Sequence, residues 1–322
     1  MRELGPDSLF SVVAPVHNEC DLIDEFVEEV GEAVARLDLP GRAELVLVDD
    51  GSTDGTGEKL DAWAKRDDVG VRVVHLARNF GQSAAVSAGL DHADGDVVIV
   101  IDADLQDDPA VFGALLQQWR EGYDVVYVVR SGRDASFFVR FFSWLFYRMI
   151  RVLGQIDLPL DAGTYALMDK CVVDSIRQLP ERNRYLPGLR TWVGFKQTGV
   201  PARRRKRRQG RSRVGLRGLW TLAMNAVFSF SYVPLFVFRV VGVLTLAFSA
   251  VLTLWALGWP LLTGQTIAWR ASYLAAISFF GGINLLGISV VGEYVARIYD
   301  EVKQRPLYIV GRTAGRGGRG KA

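Results

Sequence analysis

Residues 97–101, Val-Val-Ile-Val-Ile, run without a break into Asp102-Ala103-Asp104-Leu105-Gln106-Asp107-Asp108. A run of β-branched residues with no polar alternation is apolar on both faces of a strand. Both faces must then be covered, which predicts an inner strand of a parallel sheet with helices above and below. In open α/β sheets ligands bind beyond the carboxyl ends of the strands, and here that end is acidic. Side chains at i and i+2 of an extended segment point the same way, so Asp102 and Asp104 are expected to face one ligand together. Two neighbouring carboxylates repel, and a cation or a proton between them relieves the repulsion. Oxygen-only ligands favour Mg²⁺ or Mn²⁺, which bridge to substrate phosphates. The plainer reading is a solvated turn closing the strand, since Asp is a common turn residue.

The rest of the front half repeats this pattern. A strand over Phe10–Ala14 ends in Pro15-Val16-His17-Asn18-Glu19, and Leu22, Ile23, Phe26, Val30, Val34 and Leu37 then recur at helical spacing. A strand over Glu44–Val48 ends in Asp49-Asp50-Gly51-Ser52-Thr53-Asp54, where Ser52, Thr53 or Asp54 can cap a helix reaching about Lys65. A third strand, Val71–Leu76, leads into Arg78-Asn79-Phe80-Gly81-Gln82 and a helix over Ser83–Ala93. Pro109 opens another helix to about Glu121, and a strand over Asp124–Val129 ends at Arg130. Strands alternating with helices of this length predict βαβ units and one doubly wound sheet, an α/β fold. Polar residues at the end of strand after strand point to a nucleotide-type site.

Charge divides the 322-residue chain. Residues 1–200 carry 20 basic and 33 acidic side chains, residues 201–322 carry 18 basic and 3 acidic, and the net charge is only +2. The two cysteines, Cys20 and Cys171, have no metal-type spacing and fit a reducing compartment. No positively charged start followed by an apolar stretch marks a signal peptide. The basic run Arg203–Arg213 could bind nucleic acid in isolation. Its place before a long apolar region favours membrane lipids or a lipid phosphate instead, with Arg211 and Arg213 as candidate contacts. Residues 214–234 read as an interfacial amphipathic helix with Trp220 and Tyr232 at headgroup depth. Two apolar spans follow, Val240–Pro260, extendable back to Val233, and Tyr273 to about Val291. Basic residues flank the pair on both outer sides, so both flanks are placed in the cytosol. Asn284 and Gly281-Gly282 suggest close helix packing. Leu307–Val310 could add a strand to a neighbouring sheet in a homo-oligomer, and Gly311–Ala322 reads as a disordered tail. The expected domains are residues 1–200 (catalytic), 201–234 (polybasic and juxtamembrane), 235–296 (two-span hairpin) and 297–322 (cytosolic tail).

The ordered set Pro15-Val16-His17-Asn18-Glu19, Val48-Asp49-Asp50-Gly51-Ser52-Thr53-Asp54-Gly55-Thr56, Arg78-Asn79-Phe80-Gly81-Gln82 and Asp102-Ala103-Asp104-Leu105-Gln106-Asp107 resembles glycosyltransferase family 2. The likeness is nearest to the membrane-bound polyprenyl-phosphate glycosyltransferases, relatives of dolichyl-phosphate mannose synthase. It extends through Glu181–Tyr185 and Trp192–Phe195 into the apolar region. The resemblance implies a GT-A fold, with a Rossmann-like, mostly parallel sheet, followed by the interfacial helix and two transmembrane helices. It implies that Pro15, Glu19, Asp49, Asp50, Asn79 and Asp102 line the nucleotide site, and that Asp102, Asp104 and Gln106 hold Mg²⁺ or Mn²⁺ on the diphosphate. Arg130, Arg133 and Arg140 would meet the diphosphate or the acceptor phosphate. Asp161 is the candidate for acceptor-side positioning, and with Asp102 and Asp104 it completes the catalytic set. Thr164 stands where many relatives carry an Asp, which weakens the transfer of a catalytic base to this segment.

The expected activity is inverting transfer of a single sugar, best guessed as glucose from UDP-glucose, onto polyprenyl phosphate. The expected place is the cytosolic face of a bacterial inner membrane. Two other classes stand beside it. A processive polysaccharide synthase would carry a Gln-x-x-Arg-Trp motif, which this chain lacks, and more spans. A non-catalytic, membrane-anchored nucleotide-binding scaffold would not need the intact acidic residues.

Overall fold

The computed structural model describes residues 2–66, 70–131, 162–182, 184–203, 205, 233–263 and 269–315. They fall into two compact units, one built on a β-sheet and one on two long helices. In the first, β1 (Leu9–Val16), α1 (Ile23–Ala35), β2 (Arg42–Asp49), α2 (Thr56–Ala64), β3 (Val71–Leu76), α3 (Gln82–His92) and β4 (Val97–Val100) alternate as the sequence predicts. A turn of 3-10 helix (Pro109–Val111), α4 (Phe112–Arg120) and β5 (Val125–Ser131) follow. After them come β6 (Ala162–Asp169), α5 (Lys170–Gln178), α6 (Leu186–Trp192) and β7 (Gln197–Arg203).

The sheet order is β7-β5-β6-β4-β1-β2-β3, with a further strand, β8 (Val310–Gly315), beyond β3. Strands β3, β2, β1 and β4 are parallel. The strand order reverses at β1, where β2 lies on one side and β4 on the other, and such a switch point opens a crevice for ligands. β7 is likewise parallel to β5, so the sheet is mostly parallel as expected, with two exceptions. β6 runs antiparallel to both β4 and β5, and β8 runs antiparallel to β3, so the sheet is mixed.

Alternation along the strands divides the core. Val12, Ala14 and Val16 of β1, Leu45 and Leu47 of β2, and Val97 and Ile99 of β4 face one layer, against Phe26 of α1, Leu60 of α2 and Phe112 and Trp119 of α4. Val13, Val46, Val48, Val98 and Val100 face the other, against Val86 and Leu90 of α3 and Val172 and Ile176 of α5. This is the covering that residues 97–101 demanded, and full burial of each such side chain is worth about 1.5–3 kcal/mol. α3 is made of small residues on its inner side, Ala84, Ala85, Ala88 and Gly89. A Cβ on Gly89 would lie 2.3 Å from Val13 Cγ1, so the missing side chain is what lets α3 approach β1.

The end of the chain also departs from expectation. Val310–Gly315, assigned from sequence to a disordered tail from Gly311 and to a strand reaching for a neighbouring molecule, instead pairs within its own sheet. Arg312 stands opposite His75 and Thr313 opposite Val74.

In the second unit, α7 (Val233–Thr263) has 31 residues and α8 (Trp269–Val302) has 34. Among the described residues, Phe279–Val302 is long and apolar enough to cross a membrane, and Leu235–Val251 is a shorter apolar stretch. Leu244, Leu246, Leu254, Ile277, Leu285 and Ile288 are all exposed. Residues 206–232, which hold most of the basic run and nearly all of the expected interfacial helix, lie outside the described residues.

Candidate active site

The loops after β1, β2, β3 and β4 form one connected network. Asn18 sits in the left-handed region (φ 54°), which Asn tolerates. There its N–H donates to Ser52 Oγ at 3.0 Å, while its Oδ1 accepts from Thr53 N–H at 2.8 Å. Glu19 N–H donates to Thr56 Oγ1 and Cys20 N–H to Asp54 Oδ2, at 3.0 and 3.2 Å. Asp54 also accepts from Thr56 N–H, but the N-cap of α2 is Gly55 (φ 91°), so none of the three capping candidates holds that position. Gly51 (φ 67°) presses against the next loop, where any Cβ would lie 2.5 Å from the carbonyl carbon of Arg78.

Two adjacent carboxylates at the end of β2 do different work. Asp50 accepts from Phe80 N–H at 2.7 Å and from Gly81 N–H at 2.9 Å, one bond to each oxygen. It clamps the loop after β3, and burial raises its pKa despite those bonds. Asp49 accepts from Ser52 N–H at 2.9 Å, and its Oδ2 lies 2.8 Å from His75 Nδ1. Burial pushes the Asp49 pKa up, but the bonds from His75 and Ser52 outweigh it and hold the group below its ordinary value. On the far side of the ring, His75 Nε2 lies 3.1 Å from Asp61 Oδ1. Asp61 in turn takes both terminal nitrogens of Arg312, at 2.7 and 2.6 Å. A cavity of about 500 Å³ opens here, lined by Asp49, Ser52, His75, Arg78, Asn79 and Arg312 among others.

The acidic loop after β4 is bent rather than extended. The strand stops at Val100, and Leu105 has φ 56°. Asp102 and Asp104 are both half-buried, on either side of buried Ala103. Asp102 Oδ1 accepts from Gln82 Nε2, in the first turn of α3, at 2.8 Å. Asp104 accepts from Gln106 N–H at 3.1 Å and Gln106 Nε2 at 2.6 Å. Gln106 thus presents its amide nitrogen to Asp104. Tyr165 OH donates to Asp108 O at 2.9 Å, pinning the loop from β6. Arg205 pins it from the start of the basic run. Its N–H donates to Gln106 O at 2.8 Å, and its guanidinium bridges Glu29 and Asp108 at 2.7 and 2.9 Å.

These donors fit a hard divalent cation in one respect. Both aspartates are half-buried carboxylates steadied by amides. Among the described residues no group of three or more His, Cys, Asp or Glu assembles as a cage. Asp102 and Asp104 would supply the one or two carboxylates that Mg²⁺ or Mn²⁺ takes beside substrate phosphates and water.

Other expected site residues fall as follows. Asn79 lines the cavity and places its Nδ2 3.0 Å from His17 Nε2. Pro15 sits within β1 opposite Val48, and none of Pro15, Glu19, Asp50, Asp102, Asp104 and Gln106 is part of the cavity wall. Arg130 lies near the end of β5 opposite Ala202, with its side chain outside the described residues. Arg133, Arg140, Asp161, Arg211 and Arg213 lie outside them entirely. Sequence reading missed His75, Asp61, Gln82, Arg205 and Arg312. Of these, Gln82, inside a quoted motif, and Arg205, inside the basic run, carried a local signal. It also missed Arg190 of α6, fully buried, which donates to Gly163 O at 3.0 Å and stacks 5.0 Å from the Tyr127 ring. Burial lowers its pKa to about 10.

The family model "Glycosyl transferase family 2" matches residues 11–177. An uncharacterized glycosyltransferase of Synechocystis sp. is 40% identical over 306 residues, covering 93% of this chain and 94% of the relative. A prophage-derived bactoprenol glucosyl transferase of Shigella flexneri is 38% identical over 302 residues, covering 93% and 96%. A solved mannosyltransferase of Pyrobaculum calidifontis, in complex with GDP-Man and Mn²⁺, is 20% identical, covers 69% of this chain and 63% of its own, and superposes with a TM-score of 0.47.

Proposed function

The chain belongs to glycosyl transferase family 2 and is a glycosyltransferase, and on that premise we propose that it moves one glucose from UDP-glucose onto a polyprenyl phosphate. The observation that carries the reading is the joining of four strand-end loops, which carry Asp49, Asn79, Asp102 and Asp104, into one network along the carboxyl edge of the parallel strands. The name of the Shigella flexneri relative supports both the sugar and the lipid.

In this reading Asp102 and Asp104 hold a divalent cation, with Gln82 and Gln106 orienting the two carboxylates. The cation would supply charge stabilisation to the departing nucleoside diphosphate. Asp49 and Asn79 flank the nucleotide, and Asp50 keeps the Arg78–Gln82 loop in place. The acceptor is a phosphate monoester whose second pKa is near ~6, so it arrives anionic and needs no strong base. Its oxygen forms the new bond to the anomeric carbon as the bond to the diphosphate oxygen breaks, and the electron pair leaves with UDP. Direct displacement of this kind inverts the anomeric centre, and alignment supplies much of the rate. Asp161, Arg130, Arg133 and Arg140 remain the proposed acceptor-side and phosphate contacts.

α7 and α8 serve in this proposal as a two-span hairpin in a bacterial inner membrane, with the sheet domain on the cytosolic side. Their lengths exceed the roughly 20 residues a span needs, and their apolar side chains are exposed. The basic run Arg203–Arg213, including Arg211 and Arg213, would then meet anionic headgroups or the lipid phosphate. The test is incubation of the purified protein with Mg²⁺, polyprenyl phosphate and radiolabelled UDP-glucose. Label is expected in the lipid extract only when the lipid phosphate is present. Label that stays wholly in the aqueous phase, with every sugar nucleotide tried, contradicts the proposal.

A further inference from the structure

We propose that Arg312, on the last strand of the chain, is a positioning residue of the nucleotide pocket. Acting through Asp61 and His75, it fixes Asp49 and the Ser52 turn and so sets how tightly the donor is held. The inference rests on reading the 500 Å³ cavity as the donor pocket.

Arg312 stands directly opposite His75 in the antiparallel β3/β8 pair, so the two side chains share a face of the sheet. α2 covers that face and presents Asp61 between them. The guanidinium meets both Asp61 oxygens, a bidentate pair that fixes angle as well as distance. From there the contacts run inward. Side-chain exposure falls from 54% at Arg312 to 22% at Asp61 and to 7% at both His75 and Asp49. Asp49 then holds Ser52 N–H at the cavity wall.

The chemistry of this row gives Arg312 its role. An imidazole with a carboxylate at each nitrogen makes both hydrogen bonds only when both nitrogens carry protons. Two carboxylates thus share one imidazole. The Arg312 cation engages both oxygens of Asp61, while His75 Nδ1 stays 2.8 Å from Asp49 Oδ2. Without that cation Asp61 competes for the imidazole with its full charge, the ring is drawn toward α2, and Asp49 loses the partner that aims its second oxygen.

A merely structural role predicts something different. β8 is held by backbone ladder bonds that a side-chain change leaves intact, and an exposed ion pair contributes little to stability. Substitution of Arg312 should therefore weaken nucleotide binding without unfolding the domain.

The test uses the full-length protein in detergent. Calorimetric titration with UDP and with GDP in Mg²⁺ is combined with donor kinetics and thermal unfolding. Arg312→Gln is expected to weaken binding of the preferred nucleotide and raise donor KM by about tenfold, with the larger share of the loss in KM rather than kcat. Arg312→Lys should recover part of the loss, and Arg312→Gln should add little in an Asp61→Asn background. Unchanged nucleotide binding by Arg312→Gln would overturn the proposal, as would a loss that tracks a fall in unfolding midpoint. The two readings separate cleanly. A wild-type protein that binds nucleotide while Arg312→Gln binds it equally refutes only the role of Arg312. A wild-type protein that binds neither nucleotide removes the donor-pocket reading together with this one.

Discussion

Carboxylates do most of the work at the residue scale, and their neighbours decide which work each does. Asp102 and Asp104 are set by amides, so Asp104→Asn keeps the shape of the loop while removing a charge. Turnover is expected to fall by about 100-fold or more, with the unfolding midpoint little changed, as steady-state kinetics and calorimetry would show. Asp49 gives a pH prediction. Its pKa is lower in the folded protein than in the unfolded chain, so its stabilisation is fully present above about pH 4 and fades as pH falls through the lower folded value. The unfolding midpoint of the wild type should therefore drop as pH falls below about 4, and Asp49→Asn should flatten that part of the acid limb. Asp49, Asp50, Asn79, Asp102 and Asp104 stood out in the sequence because each ends an apolar run. His75 and Asp61 did not. His75 lies inside β3 and Asp61 in the middle of α2, where neither periodicity nor a turn marks a polar residue as special. Their meeting depends on helix-to-sheet packing, which local pattern does not encode.

At the element scale the front half was legible because covered parallel strands and their helices announce themselves by period. β3 matches its expected range residue for residue, and β1 and β2 are only longer than expected at both ends. β4 ends at Val100, one residue short of the apolar run that marked it in the sequence. β8 was misread for a different reason. Val-Gly-Arg-Thr-Ala-Gly is rich in glycine and looks disordered, and it becomes a strand only because β3 offers an unpaired edge. α3 shows the converse, a helix whose glycine is needed. Gly89→Ala would drive a Cβ into Val13, which is β-branched and buried, and is expected to cost about 1–3 kcal/mol. Chemical unfolding of the purified variant would measure it.

Across the whole molecule the charge split separates two environments. The acidic front half folds into a sheet domain with a polar crevice, and the basic back half contains helices with exposed apolar side chains. Such surfaces are stable in contact with something other than water, which is why a lipid acceptor and a membrane fit this chain better than a soluble one. The sequence had separated these regions by composition alone, and α7 and α8 overlie both apolar spans that it marked. It did not show that the chain returns to the sheet after α8, because that depends on strand pairing across more than 230 positions, between Val74 and Thr313 for example.

The central claim is transfer of a single sugar to a lipid phosphate, and the mass of the lipid product tests it most directly. Purified protein, Mg²⁺, UDP-glucose and a short-chain polyprenyl phosphate should yield one new species, heavier than the acceptor by a single hexose, however long the incubation. A ladder of hexose increments, or an acceptor of unchanged mass with every sugar nucleotide, would contradict it.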